Sequence, residues 1–294
     1  MSRPKILLTG ANGQVGWELQ RTLSSLGEVV ALDSQGLNLA DAAALRDKLK
    51  FLAPQMIVNA AAYTAVDKAE TEAERAHAVN AVAPGVMAEE AAQSGALLVH
   101  YSTDYVFDGS GSAPWLEDDS CSPLNVYGRT KLEGERLIED SGCRHLIFRT
   151  SWVYGARGSN FLLTMRHLMR ERPELKIVAD QVGAPTWCRD LAEATAQILS
   201  QLTMLLDKYE THPWGIYHMC NAGETSWHGF AQAIQSLDQK ESINTAKLVA
   251  ISSSGYPTPA QRPHNSRLDT GKLERVFGLK LQHWQSALAL CMKA

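Results

Sequence analysis

The sequence predicts an α/β protein built on a doubly wound parallel sheet, with a smaller second part toward the C-terminus. Three observations predict it. Short apolar runs alternate with segments of helical spacing through the first half, a glycine-rich turn joins the first run to the first helix, and the pattern changes near Thr150. Strands separated by helices need right-handed crossovers, which set them parallel in one sheet.

Lys5-Ile6-Leu7-Leu8-Thr9 reads as a buried strand, and Val15, Leu19, Leu23 and Leu26 follow it at helical spacing. Val29 to Leu32 forms a second strand ending at Asp33, and Leu45, Leu49 and Leu52 suit a helix before Pro54. Met56 to Ala60 is a third strand, residues 68–94 are alanine-rich and helical, and Leu97 to Ser102 is a fourth strand. Residues 124–141 read as a helix and His145 to Arg149 as a further strand. After Thr150 strand signals thin out, and loops rich in glycine, proline and tryptophan occupy 154–160, 183–190 and 252–266. This divides the chain into a first domain over 1–150, with about 190–202 returning to pack on it, and a second over 151–189 and 203–294. No internal repeat is present.

Composition narrows the class. The 294 residues are 45% hydrophobic and 20% charged, which is too apolar for a disordered chain. No apolar stretch reaches the ~18 residues of a membrane span. The net charge of −4 gives no electrostatic footprint for nucleic acid or anionic lipid. The first apolar run stops at Thr9-Gly10, too early for a signal peptide, and the five cysteines form no CxxC pair, so a reducing cytoplasm is expected. Neither the cysteines nor the nine histidines show metal-ligand spacing.

Gly10-Ala11-Asn12-Gly13-Gln14-Val15-Gly16 lies where the first strand meets the first helix. Glycine allows a sharp turn and a close approach of backbone to a pyrophosphate, and the free N–H groups at the helix start favour its charge. The turn points to a Rossmann-type, dinucleotide-binding sheet, the alternative being a glycine-rich strand-to-helix turn that holds no ligand. Asp33, ending the second strand, can accept hydrogen bonds from an adenosine ribose or can open the turn Asp33-Ser34-Gln35-Gly36. NADH and NADPH both stay open. Ala60, Ala61 and Ala62 are small enough to let a dinucleotide lie against the third strand's end.

Tyr127 and Lys131 are four apart, which puts both on one face of a helix. A nearby ammonium would lower the tyrosine pKa and make the phenol a usable acid or base. The spacing alone is common. It gains weight by following a strand end that carries Ser102-Thr103-Asp104-Tyr105, since side chains at strand carboxyl ends line the ligand crevice of such sheets.

These segments together resemble the extended short-chain dehydrogenase/reductase family, and within it the family of dTDP-4-dehydrorhamnose reductases. The resemblance runs through Thr9 to Leu19, Asn59 to Glu70, His100 to Phe107, Pro123 to Gly128, Phe148 to Tyr154 and Arg262 to Ser266. It implies reduction of the C4 ketone of dTDP-4-dehydro-β-L-rhamnose by NADPH or NADH, with Tyr127 as general acid, Lys131 on the nicotinamide ribose and Thr103 beside the carbonyl. The cofactor contacts it implies are Gly10, Asn12, Gly13, Gln14, Val15 and Gly16 of the turn, and Asp33, Asn38 and Leu39. Ala60, Ala61, Ala62, Tyr63, Thr64, Tyr101, Tyr127 and Lys131 complete them. Thr103, Asp104 and Trp152 are expected on the sugar. Arg262 suits its diphosphate or the anchoring of a loop.

The related nucleotide-sugar dehydratases need an acidic pair after the threonine. Here Tyr105 follows Asp104, which favours simple reduction. An epimerase sharing Tyr127 and Lys131, and a cofactor-binding regulatory subunit of the same fold, are the alternatives. Some members of the family are described as magnesium-dependent dimers. Arg189 in Trp187-Cys188-Arg189-Asp190, and a C-terminus Leu290 to Ala294 without carboxylate side chains, speak against an interface metal here. The expected state is a monomer or homodimer acting on a small nucleotide sugar.

Overall fold

The computed structural model describes residues 3–205, 213–239 and 246–293. Ala294, named above, and residues 1–2, 206–212 and 240–245 of the two expected domains lie outside them. The central sheet comprises β1 (Lys5–Thr9), β2 (Glu28–Leu32), β3 (Met56–Asn59), β4 (Leu97–Thr103), β5 (Arg144–Thr150) and, much later, β10 (Gly215–His218). Its order is β10-β5-β4-β3-β1-β2 and every pairing is parallel. From β1 the chain goes to one side for β2 and to the other for β3. That reversal opens a crevice beyond the strand ends.

Both faces of the sheet are covered, which explains why its strands are almost continuously apolar. Ile6 and Leu8 of β1 face one core, shared with Leu19 and Leu23 of α1 (Gln14–Leu23). Leu7 points to the opposite core, where Leu45 and Leu49 of α2 (Ala42–Leu52) meet the helices that follow β3. Those helices are α3 (Val66–Ala69), α4 (Ala73–His77) and α5 (Ala83–Ser94). The sequence read 68–94 as one helix; a break after Ala69 and a π-helical turn at Ala78–Val82 divide it. Pro84 explains the π turn. It has no N–H for the carbonyl four residues back, that of Asn80. The freed Asn80 carbonyl lies against Gly134 of α6 (Val126–Asp140), where a Cβ would come within 2.2 Å of it.

Beyond β5 the elements are short. β6 (Val153–Tyr154), α7 (Phe161–Glu171), β7 (Glu174–Val178), β8 (Val182–Gly183) and β9 (Thr186–Trp187) lead to the long α8 (Cys188–Leu205). Leu191, Ile198 and Leu199 of α8 enter the same core as α1. After β10 come β11 (Thr225–Ser226), α9 (Trp227–Gln239), β12 (Lys247–Ile251), β13 (Asn265–Ser266), α10 (Gly271–Phe277) and α11 (Trp284–Cys291). A separate core joins Met165 of α7, Leu175 of β7, Phe230 of α9 and Trp284 of α11. Residues 215–218, grouped by sequence with the second part, instead extend the central sheet as β10. Four residues at a sheet edge leave little periodicity to read.

Candidate active site

The glycine-rich turn owes its shape to close backbone contacts. Gly10 has φ +75°, and a Cβ on it would lie 2.7 Å from the Ala61 nitrogen at the end of β3. Gly16 is buried in α1, and its Cβ would meet the Gly10 carbonyl oxygen at 2.0 Å. The third glycine therefore seats the helix on the turn and does not line the cavity. At the start of α1, Gly13 offers no side-chain cap. The first amides of the helix keep their donors for a ligand.

A cavity of about 620 Å³ opens beside this turn. It brings together the sequence-predicted cofactor residues other than Gly16. Gly10, Asn12, Gly13, Gln14 and Val15 line it from the turn; Asp33, Asn38 and Leu39 from the end of β2 onward; Ala60, Ala61, Ala62, Tyr63 and Thr64 from the end of β3; Tyr101, Tyr127 and Lys131 from β4 and α6. Asp33 both lines the cavity and opens the turn: Oδ1 accepts from the Gln35 and Gly36 amides at 3.0 and 2.9 Å, and Oδ2 from Asn12 at 2.6 Å. The Gly36 amide, chiefly, holds its carboxyl below the usual range.

Tyr127 and Lys131 sit one turn apart on α6, whose start is capped by Asn125 accepting from the Gly128 amide at 2.8 Å. Gly128 is required there, since a Cβ would come 2.1 Å from the Tyr105 carbonyl oxygen. The Lys131 Nζ is buried; it donates to the Tyr101 carbonyl at 2.7 Å and lies 2.8 Å from the His100 Nε2. Burial pushes the lysine down to about 7, opposed by Glu135. Tyr127 departs from expectation. Burial raises its phenol to about 12, with the Thr103 hydroxyl opposing and Asp104 adding to the rise. Desolvation outweighs any help from Lys131, so the phenol is a protonated donor.

Thr103 and Asp104 follow at the end of β4, next to the cavity and outside its lining. Thr103 Oγ1 accepts from the Tyr105 amide at 3.2 Å and contacts Asp104 Oδ1 at 3.1 Å. Asp104 is buried, its Oδ2 has no hydrogen-bond partner, and burial raises its carboxyl to about 7, with Ser266 and Thr103 opposing. Because the folded value lies above the ordinary 3.8, the folded chain holds this proton longer than the unfolded one. Stability is full below pH 3.8 and falls as pH rises to about 7. Asp104→Asn is expected to remove that slope. In urea titrations the variant should gain more than ~1 kcal/mol on its parent between pH 5 and 8.

Trp152 and Arg262 are not among the lining residues. Trp152 has φ +48° and stacks on Trp227 at 3.6 Å between ring centroids. Arg262 is paired with Asp67, Nη2 to Oδ2 at 2.7 Å, and donates to the Ala260 carbonyl at 3.0 Å, which is the loop-anchoring geometry. The cavity also includes residues the sequence reading did not assign. Ser102 Oγ and Thr150 Oγ1, at the ends of β4 and β5, line it and are buried without partners. The strand-end rule that singled out Thr103 applies equally to them. Arg75 of α4 lines it too, by topology that no local signal announces. Gly158 and Ser159 approach over the turn, where Asn160 donates to the Gln14 Oε1 at 2.9 Å and Arg157 stacks 3.6 Å over the Trp17 ring. Arg189 pairs with Glu18 at 3.2 Å, and the described residues contain no group of three His, Cys, Asp or Glu placed to hold a metal.

The chain is 47% identical over 294 residues to the dTDP-4-dehydrorhamnose reductase of Burkholderia thailandensis, covering 98% of each chain. A crystal structure of a dTDP-4-dehydrorhamnose reductase from Clostridium acetobutylicum superposes with TM-score 0.88 at 37% identity, covering 98% of each chain. A second, from Bacillus anthracis in complex with NADP, superposes with TM-score 0.87 at 32% identity over 100% of this chain and 99% of that one. The model of the RmlD substrate binding domain matches residues 4–294, and the chain belongs to that family.

Proposed function

We propose that this protein reduces the C4 ketone of dTDP-4-dehydro-β-L-rhamnose, giving dTDP-L-rhamnose at the expense of NADPH or NADH. The observation that supports it most is one cavity that holds the glycine-rich turn, Tyr127 and Lys131 together. The residues fit a dinucleotide: the turn excludes a Cβ at Gly10, α1 opens with uncapped amides, and two buried hydroxyls face the cavity unpartnered. When bound, the reduced nicotinamide supplies the hydride.

The chain's own residues do the rest. Tyr127, kept protonated by burial, donates its proton to the C4 oxygen as negative charge develops there. Thr103 shares the donor position beside it, and Lys131 holds the nicotinamide ribose. Asp104 and Trp152 take the sugar side. The division of labour is a nucleotide-binding part over 1–150 with 190–202, and a substrate part over most of the remainder. The protein is proposed to work in the cytoplasm as a monomer or homodimer.

Two measurements test this. Purified protein with the keto-sugar nucleotide should consume reduced cofactor stoichiometrically. No consumption with dTDP- or UDP-keto-sugars would end the reductase reading, and a retained cofactor without net consumption would indicate an epimerase. Asp33→Asn keeps the turn acceptor and changes the ribose-facing oxygen. It should weaken NADH about tenfold more than NADPH in fluorescence titrations, and equal losses would confine Asp33 to the turn.

A further inference from the structure

The loop between β6 and α7 closes over the start of α1. Asn160, at the end of this loop, caps α7: its Oδ1 accepts from the Leu163 backbone N–H at 3.1 Å. That N–H can only donate, so the Asn160 amide has one orientation, with Nδ2 on the other side. Nδ2 donates to the backbone carbonyls of Gly155 at 3.0 Å and Arg157 at 3.1 Å, which can only accept and so require the same orientation. Its third partner is the Gln14 side chain, at 2.9 Å. Facing a donor, Gln14 must present Oε1. A Cβ on Gly155 would lie 3.6 Å from that oxygen, so Oε1 is turned into the loop. The Gln14 Nε2 is turned the other way and meets no acceptor among the described residues. Gln14 is the first residue of α1 and lines the cavity beside the uncapped amides.

We propose that Asn160 is a positioning residue for the dinucleotide: by holding the Gln14 Oε1 it aims the Nε2–H groups at the pyrophosphate. A glutamine free to turn would present its oxygen to the phosphates as readily as its nitrogen, and the oxygen would repel them. Fixing the amide removes that half of the orientations and the side-chain entropy that binding would otherwise cost. The added donor is neutral, as are the amides at the helix start. Neutral donors matter here because Arg75 and Lys131 are the two cations among the residues lining the cavity, in a chain of net charge −4. The loop that carries Asn160 is itself held. Arg157 stacks over the Trp17 ring of α1 at 3.6 Å, and at Gly155 the backbone runs so close to α8 that a Cβ would come within 2.6 Å of the Cys188 Sγ. One loop thus ties α1, α7 and α8 together at the mouth of the glycine-rich turn.

This role rests on the dinucleotide of the proposed reaction and is measured without keto-sugar. Asn160→Ser keeps a capping oxygen for the Leu163 N–H and removes the donor to Gln14. In fluorescence titrations of the full chain it should weaken NADPH and NADH alike, each by about tenfold, because both carry the pyrophosphate. Gln14→Leu should lose about as much, and the double variant should bind within about twofold of Gln14→Leu alone. In the parent labelled with ¹⁵N-glutamine, the side-chain NH₂ pair that disappears in Gln14→Leu should shift on saturation with either dinucleotide. Affinities of folded Asn160→Ser within about twofold of the parent overturn the proposal. So does a loss that persists in full in the Gln14→Leu background, which would make Asn160 a support of the loop only, and so does a loss confined to NADPH. If Asn160→Ser does not fold, the parent spectra decide, and an unmoved Gln14 pair overturns the proposal. A parent that binds both dinucleotides and reduces no keto-sugar sinks the reductase reading and leaves these results standing; one that binds neither overturns both.

Discussion

Tyr127→Phe is expected to lower kcat by about 10³, the middle of the range for losing a positioned general acid, with cofactor affinity unchanged within about twofold. The substitution removes one oxygen and keeps the ring, which packs edge-on against Tyr105 with 5.6 Å between centroids. Lys131 and its partners His100 and Tyr101 do not depend on that oxygen. Single-turnover rates with the keto-sugar nucleotide, set beside cofactor titrations of the same preparation, separate the two effects. Turnover at the parent rate would remove Tyr127 from the chemistry. Weakened cofactor binding with an unchanged single-turnover rate would make it a binding residue. The phenol, raised to about 12, stays protonated throughout the neutral range. An alkaline loss of activity between about pH 7 and 10 therefore belongs to another group, Lys131 first.

The parts of the site that follow from local chain chemistry were legible. A switch from strand to helical periodicity brackets the glycine turn, and four-residue spacing puts Tyr127 and Lys131 on one face of α6. What depends on distant chain was not. Arg75 lines the cavity because two short helices and a π turn carry it there, and the π turn follows from the missing N–H of Pro84. β10 escaped because four residues at a sheet edge carry almost no pattern. The pKa of Tyr127 moved opposite to expectation because spacing reveals a neighbouring cation but not the burial that outweighs it. Likewise, Asn59 and His100 read as ordinary strand residues until the structure shows them in series behind Lys131.

The same helix couples the site to stability through Glu135, one turn beyond Lys131. Its carboxylate is buried against Arg149, with Oε2 2.7 Å from Nη2 and Oε1 3.1 Å from Nε, while the guanidinium also donates to the Glu117 carbonyl at 3.1 Å. Removing one partner of such a pair strands the other charge, so Glu135→Ala should destabilise by ~3–5 kcal/mol in urea unfolding. Glu135→Gln keeps the shape and one acceptor and should cost less. The double variant Glu135→Leu with Arg149→Met should lie closer to the parent than either single change, since no charge is left unpaired. A loss below about 1 kcal/mol in Glu135→Ala would mean that water or a neighbour already compensates Arg149. Glu135 also opposes the lowering of the Lys131 pKa. Glu135→Gln, if folded, should therefore shift the Lys131 titration to lower pH, so one carboxylate serves both the core and the electrostatics of the cavity.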